Sequence, residues 1–559
     1  MFVLLDDQVT HRHMHFTRPR DVLEFRAGDA VEDFFQQVGR AGRDGFWLAG
    51  YFAYEFGAAL EPALAPPAPG TVLARLGVFG APDAHPPAEL LYRAAPPDVA
   101  LHPQWSEAEY LERFRAVQDL LQAGDAYQVN LTFPLRGAVG GDAAALYAGY
   151  RRRQPGRFGA VVSLGGPDVV SFSPELFFQR SGQRMRMRPM KGTRPLGATD
   201  DMRLDAKSRA ENLMIVDLLR NDLSRLCRPG SVAVPQLFAL EDYPTLTQMT
   251  STVEGTLRDG TGWAEMFRAL FPCGSVTGAP KIRAMQIIRD LEAGPRGPYC
   301  GSVGYVAPTG DAAFSVAIRT AVLEDERIRY DVGSGVVLDS DGAAEYRECL
   351  LKADLLAAAP ERAVETLRWE PGRGAVRLAR HARRLRAARP ESDLAATLAR
   401  LDAAGPSRVR VAQAASSPPE VRVEPLASVT EPLGVVLSRH ALSPAVQNTA
   451  FKTSRRDFYD GERARAAALC GADEVLFAGP DGLMREGSFT TLFVQSGRRL
   501  LTPRGPGLLP GVLRVEMIDS GVAAEAELGW DDVLGADALF VGNSLRGLLR
   551  AKVIATEPV

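Results

Sequence analysis

The chain has few cysteines, no long apolar run and almost no excess of charge. Its five cysteines (Cys227, Cys273, Cys300, Cys349 and Cys470) are odd in number, and no two stand at metal-ligand spacing. That argues against a disulfide framework and against a zinc site. No uninterrupted apolar run approaches the roughly 18 residues of a transmembrane helix. Residues 1–16 carry Asp6, Asp7 and three histidines instead of a signal peptide's apolar core. The cytoplasm is therefore the expected compartment. Lys plus Arg number 65 against 68 Asp plus Glu, a net charge of −3. Without a basic field, no nucleic-acid partner is expected, and small molecules or another protein take that place. Repeats and low-complexity tracts are missing as well.

What is present is enough apolar residue, 46% of 559, to build packed cores. At roughly 100–200 residues per domain, the length implies more than one domain. Residues 1–100 mix short apolar segments with Pro-rich stretches (62–69, 82–97) that read as surface loops on a variable, β-rich part. Residues 105–123 read as a helix, with Ser106 as N-cap, Glu109 three residues on and Gly124 just past the end. Strand-like and helix-like stretches alternate to about 356. Residues 357–363, with Pro360, form the expected linker between a first domain (1–356) and a second (364–559) richer in Arg and Ala.

Alternation over 184–187 predicts a strand that leads into Pro189 and then Lys191–Gly192. A lysine at a strand end, beside a glycine that admits a ligand, is placed for chemistry, although an exposed turn would also hold such a lysine. Glycine-rich turns recur at 274–278, 301–304 and 333–335, and such turns offer backbone N–H groups to a carboxylate. On a predicted helix, Glu345, Glu348 and Lys352 share one face. A second helix over 209–226 carries Glu211. Carboxylates from two helices suit Mg²⁺, which keeps several waters and needs few protein ligands. The alternative is a solvated polar face.

Several motifs resemble those of the chorismate-utilising enzymes: SFSPELFF (171–178), MKGTRPLG (190–197), AENLMIVDLLRND (210–222), FPCGSVTGAPKIRAM (271–285), YCGSVGY (299–305) and AIRT (317–320). The helix 345–352 and GYFAYEFG (50–57) resemble the same family. The resemblance implies an α+β fold with a β-sandwich core and flanking helices over 1–356, the catalytic part being 101–356. It implies chorismate as substrate, Glu211 and Glu348 as Mg²⁺ ligands with Glu345 close by, and Tyr305, Arg319, Lys352 and the Gly274, Ser275, Thr277, Gly333 and Gly335 turns around the substrate. Lys191 resembles the aminodeoxychorismate synthase branch, since anthranilate synthases carry Ala there; GDAYQVNLT (124–132) and Gln248 point the same way. Lys191 would then attack C2 of chorismate as a neutral amine, its pKa lowered by burial and by Arg188 or Arg194. Glu175 would serve as general acid and then as base. No cysteine has the setting of a glutaminase nucleophile, so a separate glutamine amidotransferase subunit is the expected ammonia source.

The second domain carries Lys452 in FKTSRRDFYD (451–460), Glu486 in MREGSFTTLFV (484–494), a possible phosphate-binding helix start at GLLPGVLR (507–514) and GNSLRG (542–547). These are parts for a phosphorylated aldehyde cofactor: a lysine for the Schiff base, an acid for the ring nitrogen and a helix N-terminus for phosphate. The order resembles fold-type-IV pyridoxal-phosphate enzymes, implying a smaller two-subdomain α/β domain and pyridoxal 5'-phosphate as cofactor. Lys452 and Glu486 would act on the ring, and Arg384, Gly511, Val512 and Ser544 would hold the phosphate. The fused first domain favours an aminodeoxychorismate lyase. Phe451 and Thr491 depart from the usual His and Asn, and the stretch 385–408 is short. The alternatives are anthranilate or isochorismate synthesis, and a second domain that is an inert structural module.

Overall fold

The computed structural model of the chain describes residues 1–93, 96–153, 156–195, 205–242, 246–356, 362–414, 417–443 and 451–559. Backbone contacts divide it into two units: 1–86 with 97–357, and 87–96 with 358–559. Among the described residues, no helix is long and apolar enough to cross a membrane.

The first unit is built on two antiparallel sheets. One contains Gln128–Val139 paired from Val129 to Ala138 with Arg327–Val336, followed by Thr320–Glu324, Asp168–Ser173, Phe158–Ser163, Phe2–Asp7 and Arg12–Thr17. The other runs Met190–Pro195, Leu246–Thr256, Arg184–Arg188, Leu176–Ser181, Ala312–Val316, Ser302–Val306, Trp47–Phe52, Val72–Phe79 and Asp21–Arg26. Val3, Phe16, Val162 and Val169 of the first sheet pack with Ala49, Tyr51, Phe79 and Val303 of the second in one buried cluster, which makes the pair a sandwich. Arg184–Arg188 forms as its alternation predicts: Met185 and Met187 are buried, while Arg184 and Arg186 are exposed. The helix Glu107–Gln122 starts at Ser106, whose side chain accepts from the Glu109 N–H while Glu109 reaches back. The first hundred residues are not a separate part, because five of their strands lie inside the two sheets.

The second unit has two layers of its own. The sheet Gly374–Ala375, Arg362–Glu370, Ser407–Ala414 and Glu420–Pro425 is covered by the helices Leu378–Ala388 and Leu394–Leu398 through Leu367, Leu385, Leu398 and Val409. A mixed sheet places Leu433–Leu437 parallel to Glu474–Ala478 and Gly547–Val553, around a core of Val435, Leu476, Leu492 and Val541.

Two expectations change. Residues 357–361 of the expected linker lie outside the described residues, and Arg362 and Ala363 already belong to a strand. The Pro-rich stretch 82–97 is not only surface loop. Its residues 87–96 group with the second unit, where Leu91 and Tyr92 are buried and the Tyr92 hydroxyl donates to Glu462 Oε1 at 2.8 Å. The Tyr92 ring also meets Phe458 edge-on, so apolar burial holds this stretch where its prolines alone suggest solvent.

Candidate functional site

In the first unit, Pro189 ends one strand and Lys191 sits inside the next, Met190–Pro195, opposite Met249. A bulge follows Lys191, and Gly192 takes φ +76° there, a conformation that favours glycine. The Lys191 Nζ lies 3.7 Å from Glu211 Oε2, on the helix Ala206–Ser224. A Cβ on Gly335 would lie 3.5 Å from that nitrogen and 3.1 Å from Gln128 Nε2, so a side chain at 335 would crowd the amine. Arg188 is paired with Glu241, and the Arg194 side chain lies outside the described residues.

Glu175 precedes the strand Leu176–Ser181, whose antiparallel return through Arg184–Arg188 leads to Lys191. Its side chain is buried, accepts a hydrogen bond from Ser275, and leaves Oε1 without a partner among the described residues. Burial raises its pKa to about 7, against the opposing pull of the Ser275 hydrogen bond and the Lys191 charge. Ser275 stands in the short turn Gly274–Val276, which packs so tightly that a Cβ at Gly274 would lie 2.2 Å from Leu218. The Thr277 hydroxyl bonds to the carbonyls of Cys273 and Gly274, so it braces the turn.

On the neighbouring strand, the Gly333 carbonyl accepts from Lys352 Nζ at 2.8 Å, and Lys352 also pairs with Glu348 at 2.8 Å. Arg319 takes φ +52° and donates to the Lys352 carbonyl at 3.0 Å. Glu345 is buried and Glu348 exposed. Among the described residues, no group of three or more His, Cys, Asp or Glu could hold a metal. The expected trio Glu211, Glu345 and Glu348 is therefore not assembled, with Glu211 and Glu348 each turned to a lysine. Tyr305 is likewise not brought to the site. Alternation along Ser302–Val306 puts it on the Val303 face, against Trp47 at 5.7 Å in the sandwich interior.

In the second unit, Lys452 Nζ donates to Thr366 Oγ1 at 3.0 Å. Burial and then the charges of Arg384 and Arg456 lower its pKa to about 7. Glu486 is buried, accepts from the Tyr459 hydroxyl and the Leu509 N–H, and is raised by burial to about 7. Arg456 is close enough to influence both groups. The loop after Glu486 is tied down by buried Glu474, which accepts from the hydroxyls of Ser488 and Thr490. Arg384 grips Glu365 with two N–H groups, at 2.8 and 2.7 Å, and donates to the Pro510 carbonyl at 3.1 Å. That brings it beside Gly511 and the helix Val512–Asp519, whose first-turn N–H groups have no acceptor within the helix. Gly542 packs on Leu513, which brings the Ser544 turn to the same place.

Residues 2–358 match the profile of the chorismate binding enzyme family. The chain belongs to that family. Residues 389–554 match the amino-transferase class IV family. The chain is similar to aminodeoxychorismate synthase component 1 of Klebsiella aerogenes, at 42% identity over 44% of this chain and 57% of the relative. It is similar to anthranilate synthase component 1 of Streptomyces coelicolor, at 39% identity over 46% of this chain and 52% of the relative. The chain thus spans a little over half the length of these relatives. Its backbone resembles that of anthranilate synthase component I from Streptococcus pneumoniae, with TM-score 0.55 and 24% identity over 61% of this chain and 91% of that one.

For a chorismate binding enzyme, one lining residue escaped the sequence reading. Gln128 is buried beside Gly335 and Lys191, with neither amide atom hydrogen-bonded among the described residues. Its only sequence signal is its place in the motif at 124–132. Tyr299 also escaped it: this buried ring, near Cys349 and Asp331, is the other tyrosine of YCGSVGY.

Proposed function

We propose that the first unit of this chorismate binding enzyme replaces the C4 hydroxyl of chorismate with ammonia, forming 4-amino-4-deoxychorismate. The observation that carries this reading is an amine, Lys191, set beside a buried carboxyl, Glu175, that titrates near neutrality. In its neutral form Lys191 bonds to C2, and the C4 hydroxyl departs as water, taking its proton from Glu175. Ammonia then bonds at C4, Glu175 takes a proton back, and Lys191 leaves C2 as the free amine. Chorismate plus ammonia thus becomes the amino product plus water. Lys352 and Arg319 supply positive charge for the substrate carboxylates, and the unpartnered Gln128 amide offers both a donor and an acceptor. A separate glutamine amidotransferase subunit supplies the ammonia in the cytoplasm.

Glu211 and Glu348, once turned from Lys191 and Lys352, would hold Mg²⁺ as oxygen donors. Two carboxylates are enough for an ion that keeps waters and takes substrate oxygens, and it would neutralise charge at the substrate. For the second unit the residues fit pyridoxal 5'-phosphate: a desolvated amine at Lys452, a protonatable acid at Glu486, and Arg384, Ser544 and the 511–512 turn for phosphate. When bound, the cofactor supplies an electron sink. Lys452, with a pKa of about 7, accepts and returns the proton moved as the amino product splits into 4-aminobenzoate and pyruvate.

The test is product analysis from chorismate, ammonium and Mg²⁺. The full chain should make 4-aminobenzoate, and Lys191→Ala should cut chorismate consumption by about a thousandfold or more. Undiminished amination by Lys191→Ala, or anthranilate as the wild-type product, overturns the reading.

A further inference from the structure

Behind Arg384 and Ser544 lies a buried chain of polar groups with no role so far. His381, fully buried on the helix Leu378–Ala388, has Nδ1 2.6 Å from Glu365 Oε2 and Nε2 2.7 Å from Ser544 Oγ. Glu365 is the same carboxylate that grips Arg384. Other groups facing His381 are Lys452, from the segment opposite, and Arg384, one turn along its own helix. Arg377, at the start of that helix, donates to the Ser544 carbonyl and pairs with Glu516.

The proton count in this chain is constrained. Although burial pushes Glu365 up, the hydrogen bonds from Arg384 and His381 take it down to about 2, so it is a carboxylate that can only accept. Nδ1 of His381 must then carry the proton it donates. Burial, the largest influence on His381, lowers its pKa against the pull of Glu365, so near neutrality the ring is uncharged and Nε2 is a bare acceptor. Ser544 must then donate its hydroxyl hydrogen to Nε2, and it turns only lone pairs toward the pocket. A phosphate dianion meets repulsion there. If His381 gains a proton, Nε2–H donates to Ser544 Oγ and the hydroxyl hydrogen is free for the anion.

We propose that Glu365 and His381 are positioning residues for a phosphate pocket formed by Arg384 and Ser544, and that the proton on His381 decides whether Ser544 donates to the bound dianion. The proposal rests on the reading of the second unit as a pyridoxal 5'-phosphate site. Glu365 holds Arg384 and His381 in one geometry, and an arriving dianion raises the proton affinity of His381, so binding takes up a proton.

The experiment titrates the full chain with pyridoxal 5'-phosphate, and in parallel with pyridoxal, from pH 6 to 9. Affinity is followed by absorbance, and proton uptake by calorimetry in two buffers of different ionisation heat. The loss caused by Ser544→Ala should be about tenfold or more at pH 6 and vanish by pH 9, for the phosphorylated ligand only. Uptake near pH 7.5 should fall by up to about one proton in His381→Gln. A Ser544→Ala loss that is the same at every pH, or equal for pyridoxal, overturns the proposal, and so does undiminished uptake in His381→Gln. If His381→Gln does not fold, the Ser544→Ala profile decides alone. Coloured, borohydride-sensitive binding at Lys452 without these pH effects refutes the proposal and leaves the cofactor reading standing; no binding by the wild type refutes both.

Discussion

Replacing Glu175 with Gln should make the first unit more stable while abolishing amination, and the gain should depend on pH in a defined way. The Glu175 carboxyl is buried and its pKa rises from 4.5 to about 7. Between those values the unfolded chain has lost this proton and the folded chain keeps it. The native state therefore binds more protons, and stability falls as pH rises, by about 1.4 kcal/mol per unit. Over the window this sums to about 3 kcal/mol, fully developed above pH 7 and absent below 4.5. Glutamine can keep the Ser275 hydrogen bond without this term. For a unit of about 350 residues, the difference corresponds to a rise of about 5 °C in its melting temperature at pH 8, shrinking toward zero near pH 4.5. Calorimetric melts of wild type and Glu175→Gln across pH 4.5–8.5 read it directly. A difference that stays constant with pH would mean that Glu175 does not titrate near neutrality, and its role as proton donor would fall with it.

Gln128→Leu should fold at least as well as wild type, because it removes two buried polar atoms with no partner, yet it should raise KM for chorismate about tenfold to a hundredfold, read in steady-state kinetics. Tyr92→Phe should cost the second unit about 1–2 kcal/mol, seen as a lowered melting transition, because it takes one hydroxyl donor from buried Glu462. Lys452→Ala should leave chorismate consumption unchanged while 4-amino-4-deoxychorismate accumulates, read by chromatography; continued release of 4-aminobenzoate would remove Lys452 from the second reaction.

How much of this was legible in the sequence depended on how local each signal was. Lys191, Glu175 and Ser275 stand in contiguous motifs, two of which were read as a strand end and a turn, and these three are near one another. Tyr305 was misjudged because YCGSVGY holds two tyrosines, and only strand alternation says that the second enters the sandwich interior. Arg384 was read only as a phosphate-holding residue, because its partner is on another element: Glu365, in an earlier strand, takes up its guanidinium. That the Gln128 amide has no partner among the described residues, and that Tyr92 is buried 370 residues from Glu462, are long-range facts that no periodicity carries. The lysine partners of Glu211 and Glu348 were hidden for a related reason. A shared helix face brings Glu345 and Glu348 to one side, but it does not say which cation each carboxylate meets.

The two proposed reactions ask opposite things of their ionisable groups, and one physical effect answers both. An acid that must give up a proton at neutral pH has to be harder to ionise than in water, whereas a base has to be harder to protonate. Burial penalises whichever form is charged, so it moves Glu175 up and Lys452 down toward the same value of about 7. The surroundings then set the difference. Glu175 feels a cation that opposes the shift, so its rise is burial overcoming Lys191. Lys452 is flanked by Arg384 and Arg456, whose charges add to burial. An anion bound among those guanidinium groups would cancel their share and return proton affinity to Lys452. Filling the phosphate pocket is thus expected to change the proton affinity of the amine that must carry out the second reaction, and a neutral residue at position 384 would do the same without any ligand.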